Sequence, residues 1–250
     1  MNKNGIKFLR NRPAVFLKEE KALVIAELHL GVEYEFFKKG VIIPSQREKF
    51  QEEVEKIKKL TKADKLVIVG DLKHKVPGIT LREEKEIPKF LDWLKENFEV
   101  FVTKGNHDAE IEKIVPRGIR VYGSRGFKLG NYGFFHGHAW PSRRALSCDY
   151  IFTAHLHPGI IFKDKLGSIS YEQVWIVGEM REEIKEKYGL KKGSNIVVIP
   201  TFNKLLGNID LLKILEEEAS GVLNKLIELE NSKVYLLDGT FLGEVKDLRV

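Results

Sequence analysis

Lys65-Leu66-Val67-Ile68-Val69-Gly70-Asp71-Leu72-Lys73-His74 decides how the chain is read. Its first half is a short aliphatic and β-branched run of the kind that forms a buried strand. Its second half stops that run with glycine and at once offers a carboxylate and an imidazole. The arrangement recurs. Ala22 to Ala26 leads into Glu27-Leu28-His29-Leu30-Gly31, and Glu99 to Val102 leads into Gly105-Asn106-His107-Asp108. Tyr132 to Phe135 leads into His136-Gly137-His138, and Tyr150 to Thr153 into His155-Leu156-His157. All 7 histidines of the chain fall inside these clusters. Imidazole, carboxylate and amide oxygens together suit divalent first-row metals such as manganese, iron or zinc.

Working outward, Ile196 to Ile199 reads as a further buried strand, and amphipathic stretches alternate with the strands. Pro44-Ser45 opens a helix, with Glu48 three residues on completing a capping box. Phe50, Val54, Ile57 and Leu60 recur at helical spacing and form its core-facing stripe. A second helix runs from about Arg82 to Asn97, and Phe90, Trp93 and Leu94 on its buried side read as core packing. In α/β sheets the crevice beyond the carboxyl ends of the strands is where ligands bind. Loops far apart in sequence can therefore converge on one site. Further along, Glu172 to Gly178 reads as a strand and Arg181 to Lys192 as a charged excursion. Lys233 to Leu236 and Gly239 to Leu242 read as a closing hairpin. No linker interrupts the pattern, so residues 1–250 are expected to form one domain, with 203–250 as a C-terminal extension of the sheet.

Composition narrows the class. Lys and Arg number 42 against 36 Asp and Glu, a net charge of +6. That excess is compatible with an anionic substrate but too small to establish nucleic-acid binding. Cys148 is the only cysteine, so no internal disulfide can form and a structural zinc site built on thiolates is disfavoured. Met1-Asn2-Lys3-Asn4 leads into no apolar segment, and no apolar run reaches the roughly 18 residues of a membrane span. A soluble, cytoplasmic protein without a membrane partner is expected. Lysine and glutamate are abundant while glutamine occurs only at Gln46, Gln51 and Gln173, a bias found in hyperthermophile proteins.

The ordered set carboxylate-x-His, Gly-Asp-x-x-His, Gly-Asn-His-Asp, His-Gly-His and x-His-x-His resembles the metallophosphoesterase (calcineurin-like) superfamily. The resemblance covers roughly Val24 to Pro158, and Ile196 to Asn203 looks like the family's late strand and turn. Leu28-His29-Leu30-Gly31, His136-Gly137-His138-Ala139-Trp140-Pro141 and Pro200-Thr201-Phe202-Asn203 look like small archaeal phosphoesterases related to bacterial DNA-ligase-associated phosphoesterases. The resemblance implies a four-layer α/β/β/α sandwich, two mixed sheets face to face with helices outside. It also implies two divalent ions, manganese foremost, with iron, zinc, nickel or cobalt as alternatives. Two ions ~3.5–4 Å apart can clamp the attacking and leaving oxygens of a phosphoryl centre. By similarity Asp71 bridges them, Glu27, His29 and His157 hold the first, and Asn106, His136 and His155 hold the second. A metal-bridging hydroxide would then attack phosphorus in a phosphodiester, small or terminal, in preference to a monoester. His107 takes the role of general acid.

Other residues keep two readings each. Asp108 either orients His107 or caps a helix that begins there. His74 and His138 either support a ligand through a ring nitrogen or touch the substrate. Arg143 and Arg144 either grip a phosphate or merely begin an exposed helix. Glu27 departs from the family, which usually carries Asp there. Its extra methylene adds about 1.5 Å of reach, leaving a normal site, a weakened first metal or lost catalysis. Two further functions compete with a phosphodiesterase: a nuclease of the double-strand-break repair type, acting on nucleic acid, and a metal-binding scaffold.

Overall fold

The computed structural model describes residues 5–163, 165–190, 194–211 and 221–248. The first sheet contains β1 (Ile6–Phe8), β2 (Val15–Leu17), β3 (Ala22–Ile25), β4 (Lys65–Val69), β5 (Glu99–Thr103) and β6 (Arg120–Tyr122), in that spatial order. From β3 to β6 the pairing is parallel, and β1 and β2 form an antiparallel edge. The second sheet comprises β7 (Phe127–Leu129), β8 (Tyr132–Phe134), β9 (Tyr150–Thr153), β10 (Pro158–Lys163) and β11 (Ile169–Glu179). It also takes in β12 (Asn195–Val198), β13 (Ile209–Asp210), β14 (Lys233–Leu236) and β15 (Phe241–Glu244). Its order is β13-β10-β11-β12-β9-β8-β7, and the β14–β15 hairpin adds to β11. β8, β9 and β12 are mutually parallel.

Side-chain alternation builds the four layers. In β3, Leu23 and Ile25 face α2 (Gln46–Thr61) and α3 (Leu81–Asn97), while Ala22 and Val24 face the second sheet. Phe152, Trp175 and Val197 return that contact from the second sheet. Ile151, Ile176 and Val198 on its other face pack against α5 (Glu182–Tyr188) and the helix Gly221–Leu226. The α/β/β/α sandwich thus follows from period-two strands buried on both faces. Between the sheets runs an aromatic stack. Ring centroids of Phe127 and Phe134 lie 5.1 Å apart, and those of Phe134 and Phe152 lie 5.6 Å apart.

The helices depart from the sequence reading at their ends. Ser45 caps α2 by accepting the Arg47 N–H, whereas Glu48 is exposed and pairs with Arg47 at 3.0 Å, so no capping box closes. The box belongs to α3, where Thr80 and Glu83 bond reciprocally. Phe50, Val54 and Ile57 are buried as expected, but Leu60 is 65% exposed. At 100° per residue Leu60 has drifted about 80° round the helix from Phe50, off the core face. The charged stretch after Arg181 forms α5, and Lys191 and Lys192 at its end lie outside the described residues. The same holds for 212–220 and 249–250 of the expected C-terminal extension, whose hairpin is present.

Phe134→Ala removes the middle ring of the inter-sheet stack and is expected to cost about 3–5 kcal/mol. Leu60→Ala, at the exposed position, should stay within about 0.5 kcal/mol. Urea unfolding of both variants measures the contrast, and equal losses would contradict the layer assignment.

Candidate metal centre

Every candidate ligand leaves the carboxyl end of a parallel strand. Glu27 and His29 follow β3, Asp71 follows β4, and Asn106 and His107 follow β5. From the second sheet, His136 and His138 follow β8, and His155 and His157 follow β9. To turn the side chains inward the backbone adopts left-handed conformations. The φ angles are +58° at Glu27, +43° at His29, +47° at Asp71, +69° at His155 and +45° at His157. Such geometry costs of order 1–3 kcal/mol per non-glycine residue, and its concentration here marks a site rather than a set of ordinary loops.

One carboxylate lies at the middle. Glu27 Oε2 accepts from His29 Nε2 at 2.8 Å and from His157 Nε2 at 2.9 Å. Glu27 Oε1 accepts from His136 Nε2 and from the His155 backbone N–H, each at 2.7 Å. Beside it, Asp71 Oδ2 stands 3.5 Å from Nε2 of both His29 and His136. Asp71 Oδ1 accepts the His107 backbone N–H at 2.8 Å. Glu27, His29, Asp71 and His136 are all buried.

An outer ring of contacts holds these donors. The Nδ1 atoms of His29 and His74 share a hydrogen bond at 3.2 Å, and those of His136 and His138 share one at 2.8 Å. His74 and His138 therefore touch the imidazoles of His29 and His136. His107 Nδ1 donates to the His74 carbonyl at 2.5 Å, and its ring lies edge-on to His29 with centroids 4.6 Å apart. The His155 ring packs edge-on to His136 at 4.9 Å.

Asp108, Arg143 and Arg144 stand outside this set of donors. Asp108 caps no helix. The nearest helical turn is Ile111–Lys113, preceded by Glu110. The Asp108 carboxylate is buried and accepts the N–H groups of Gly105 at 2.9 Å and Lys73 at 3.1 Å, which ties the β5 loop to the β4 loop. Arg143 and Arg144 are exposed on α4 (Arg143–Leu146), which Ser142 caps, and neither bonds to the cluster. Gly105 does not provide a left-handed turn, unlike Gly70 and Gly137. Its role is space, because a Cβ there would run into the Asp71 carboxylate. Asn106 is brought to the rim, where its side chain is exposed.

Sequence reasoning missed the parts that pin the loops. Thr201 Oγ1 donates to the Glu27 carbonyl at 3.0 Å, and Asn203 Nδ2 donates to the Leu28 carbonyl at 2.7 Å. Phe202 N–H reaches the Ala26 carbonyl at 2.9 Å. The turn after β12 thus braces the turn after β3 across the two sheets. Pro200-Thr201-Phe202-Asn203 stood out in the sequence, but nothing there showed which carbonyls it would hold. Glu83 is also buried, and accepts the N–H groups of His74 and Lys75 at 3.0 and 2.7 Å.

The electrostatics follow from burying so many ionisable groups. Burial, reinforced by the charge of Glu27, raises the Asp71 carboxyl to about 8. Burial pushes Glu27 the same way, yet the charges of His136 and His157 and their hydrogen bonds hold it well below the usual carboxylate range. For His136 burial acts downward, but Glu27 and then Asp71 outweigh it and carry the imidazole to about 9. His157 is raised against its burial by Glu27 in the same way. Burial holds His29, His138 and His155 down at about 4.

Comparison with known proteins adds a family. The sequence profile of the calcineurin-like phosphoesterases matches residues 21–211, which contain every candidate ligand. No curated protein matches the chain by sequence. The fold is similar to the crystal structure of the nuclease MPE of Pseudomonas putida. That match has a TM-score of 0.59 and 13% identity, covering 95% of this chain and 98% of that one. Yfce, a phosphoesterase from E. coli, aligns over 72% of this chain and 77% of its own at 14% identity. Its TM-score of 0.37 carries no argument.

The charge network has a pH signature in the protein stripped of metal. His136 retains its proton in the folded state up to about 9, while a free imidazole releases it at 6.5. Its contribution to stability is fully present below 6.5 and lost as the pH rises through 9. Asp71, raised from 3.8 to about 8, acts in the same direction. Glu27, shifted downward, contributes above the ordinary carboxylate range and does not titrate in this window. In chelator the thermal midpoint is expected to fall between about pH 7 and 9, measured by differential scanning fluorimetry. A midpoint that holds or rises there would contradict the network.

Proposed function

Because the chain belongs to the calcineurin-like phosphoesterase family, we propose that it is a metal-dependent phosphoesterase that hydrolyses phosphodiesters at this cluster. The observation that carries the reading is the two-sided set of donors. Glu27, His29 and His157 gather on one side, Glu27, Asp71 and His136 on the other, and Asp71 Oδ2 is equidistant from the histidines of both. Donor atoms sharing one ion at about 2.1 Å and a right angle stand about 3 Å apart. The Glu27 contacts at 2.7–2.9 Å match that spacing. The donor set fits divalent ions.

Glu27, His29 and His157 would hold one ion, Asn106, His136 and His155 the other, and Asp71 both. Mixed imidazole and carboxylate donors favour manganese, with iron, zinc, nickel and cobalt as competitors. When bound, the ions would supply Lewis acidity towards a phosphoryl oxygen and make a water more acidic. The chain's own residues do the rest. His74 and His138 hold the His29 and His136 rings by their Nδ1 atoms, which leaves Nε2 facing inward. His107 has its Nδ1 committed to the His74 carbonyl, so Nε2 is the atom that can pass a proton to the departing oxygen.

A diester suits the site better than a monoester. No arginine or lysine side chain bonds to the cluster among the described residues. Lys73, two residues after Asp71, is buried and spends its ammonium on the carbonyls of Lys75 and Gly78. A doubly charged monoester would find no cationic side chain to neutralise its second charge, whereas a singly charged diester needs none.

With manganese, the protein is expected to hydrolyse bis-p-nitrophenyl phosphate faster than p-nitrophenyl phosphate. Asp71→Ala should abolish this and empty the site, while His107→Ala should lower kcat by ~10²–10⁴-fold with metal content retained. Silence of folded, metal-loaded protein on every phosphodiester would overturn the enzyme reading in favour of a scaffold. Glu27→Asp tests the longer arm. It is expected to keep activity within about tenfold, about 1.4 kcal/mol in the barrier. A gain in both manganese affinity and rate would instead show that the glutamate weakens the first metal.

A further inference from the structure

Beside the metal centre the chain exposes what a folded core would normally bury. The short helix α1 (Glu33–Lys38) starts just beyond the His29 turn, and Val32 N–H donates to the His29 carbonyl at 3.1 Å. It carries Tyr34, 40% exposed, and Phe37, 59% exposed, with rings tilted by 22° and centroids 6.2 Å apart. The loop that follows turns at Gly40 (φ +80°) and presents Val41 and Ile42, the latter 85% exposed. Contiguous exposed apolar surface of this kind marks an interaction site.

Charge selects among partners. In segments 33–45 and 73–78 the acidic side chains are engaged. Glu33 is buried and accepts the N–H groups of Gly31 and Gln46, and Glu35 pairs with Lys38 at 2.8 Å. With Lys38 shared with Glu35 and Lys73 buried, Lys39 and Lys75 are the cations of these segments without a carboxylate partner among the described residues. Lys38 Nζ sits 5.2 Å from the Tyr34 ring centroid, and Lys39 is exposed beside it. His74 N–H donates to the Leu30 carbonyl at 3.0 Å, so the loop that holds His74 against His29 pairs with the segment leading into this helix. Flat rings interleaved with lysines are what single-stranded nucleic acid binds, its bases stacking and its phosphates meeting the cations. A purely apolar protein partner would have no use for Lys38 and Lys39.

We propose that Tyr34 and Phe37 form a stacking platform for bases of single-stranded nucleic acid, flanked by Lys38 and Lys39, which leads the phosphodiester backbone to the metal centre. The proposal rests on the phosphodiesterase reading for its catalytic half, and on the ridge alone for binding.

The test uses the full chain in two assays. Anisotropy of a fluorescein-labelled oligothymidylate, measured in chelator, reads binding without turnover. Tyr34→Ala with Phe37→Ala is expected to weaken it at least tenfold, while Tyr34→Phe with Phe37→Tyr restores it. With manganese, the ratio of kcat/KM on the oligonucleotide to that on bis-p-nitrophenyl phosphate should fall at least tenfold, through KM. Equal binding by the alanine variant overturns the platform. So does wild type that cleaves the small diester but does not bind the oligonucleotide, an outcome that leaves the phosphodiesterase reading intact. Ring-dependent binding without hydrolysis of any diester upholds the platform and removes the enzyme reading. A change of oligomeric state in the alanine variant by light scattering, with binding unchanged, overturns the proposal in favour of a second copy of the chain.

Discussion

A carboxylate that is fully buried and still ionised must be compensated on every side, and Glu27 imposes that demand on the whole molecule. An uncompensated charge in a protein interior costs several kcal/mol. Here the compensation comes from imidazoles supplied by both sheets: His29 from the first, His136 and His157 from the second, with the His155 backbone N–H completing the set. The two sheets are joined at their carboxyl ends by this ion as well as by the aromatic stack between them. Asp71 takes the opposite course: crowded by Glu27 and buried, it is driven towards its neutral form. Two adjacent carboxylates in one site cannot both ionise freely, and the imidazoles decide which one does.

The second constraint is backbone strain. Glu27, His29, Asp71, His155 and His157 hold left-handed φ angles without being glycine. Such conformations persist only where their surroundings over-determine them. The surroundings here are specific. Thr201 and Asn203 hold the carbonyls of Glu27 and Leu28, Asp108 ties Gly105 to Lys73, and Gly105 gives Asp71 room. The sandwich supplies the stability against which this strain is set, which is why the site lies where rigid strands end rather than in a long mobile loop.

The strands and the cluster of donors were legible in the sequence because both rest on local signals. An aliphatic run followed by glycine and a ligand side chain reads the same wherever it occurs, and the six strands Ala22 to Ile199 all appear within a residue or two of their expected ends. What stayed hidden depends on partners distant in the chain. Asp108 has the identity of a helix cap, but two backbone N–H groups from separate loops claim it first. Glu48 has capping-box spacing, but its carboxylate pairs with Arg47 instead of reaching back to the Ser45 N–H. Leu60 continues the three-residue step from Ile57, but each such step falls short of a full turn, and by Leu60 the drift has left the core face.

Glu27 could be read from the sequence as a candidate ligand but not placed. Spacing puts it two residues before His29; it does not say that one carboxylate will face both halves of the site. The extra methylene is absorbed neither by displacement nor by exposure. It carries Oε1 across to His136 and the His155 N–H while Oε2 stays with His29 and His157. A shorter aspartate on the same strained turn would have to give up one of these sides. The glutamate therefore meets groups from both sheets with one carboxylate. Divalent cations held by these residues would have to displace the protons that His136 and Asp71 retain. Metal binding at this cluster would therefore depend on pH.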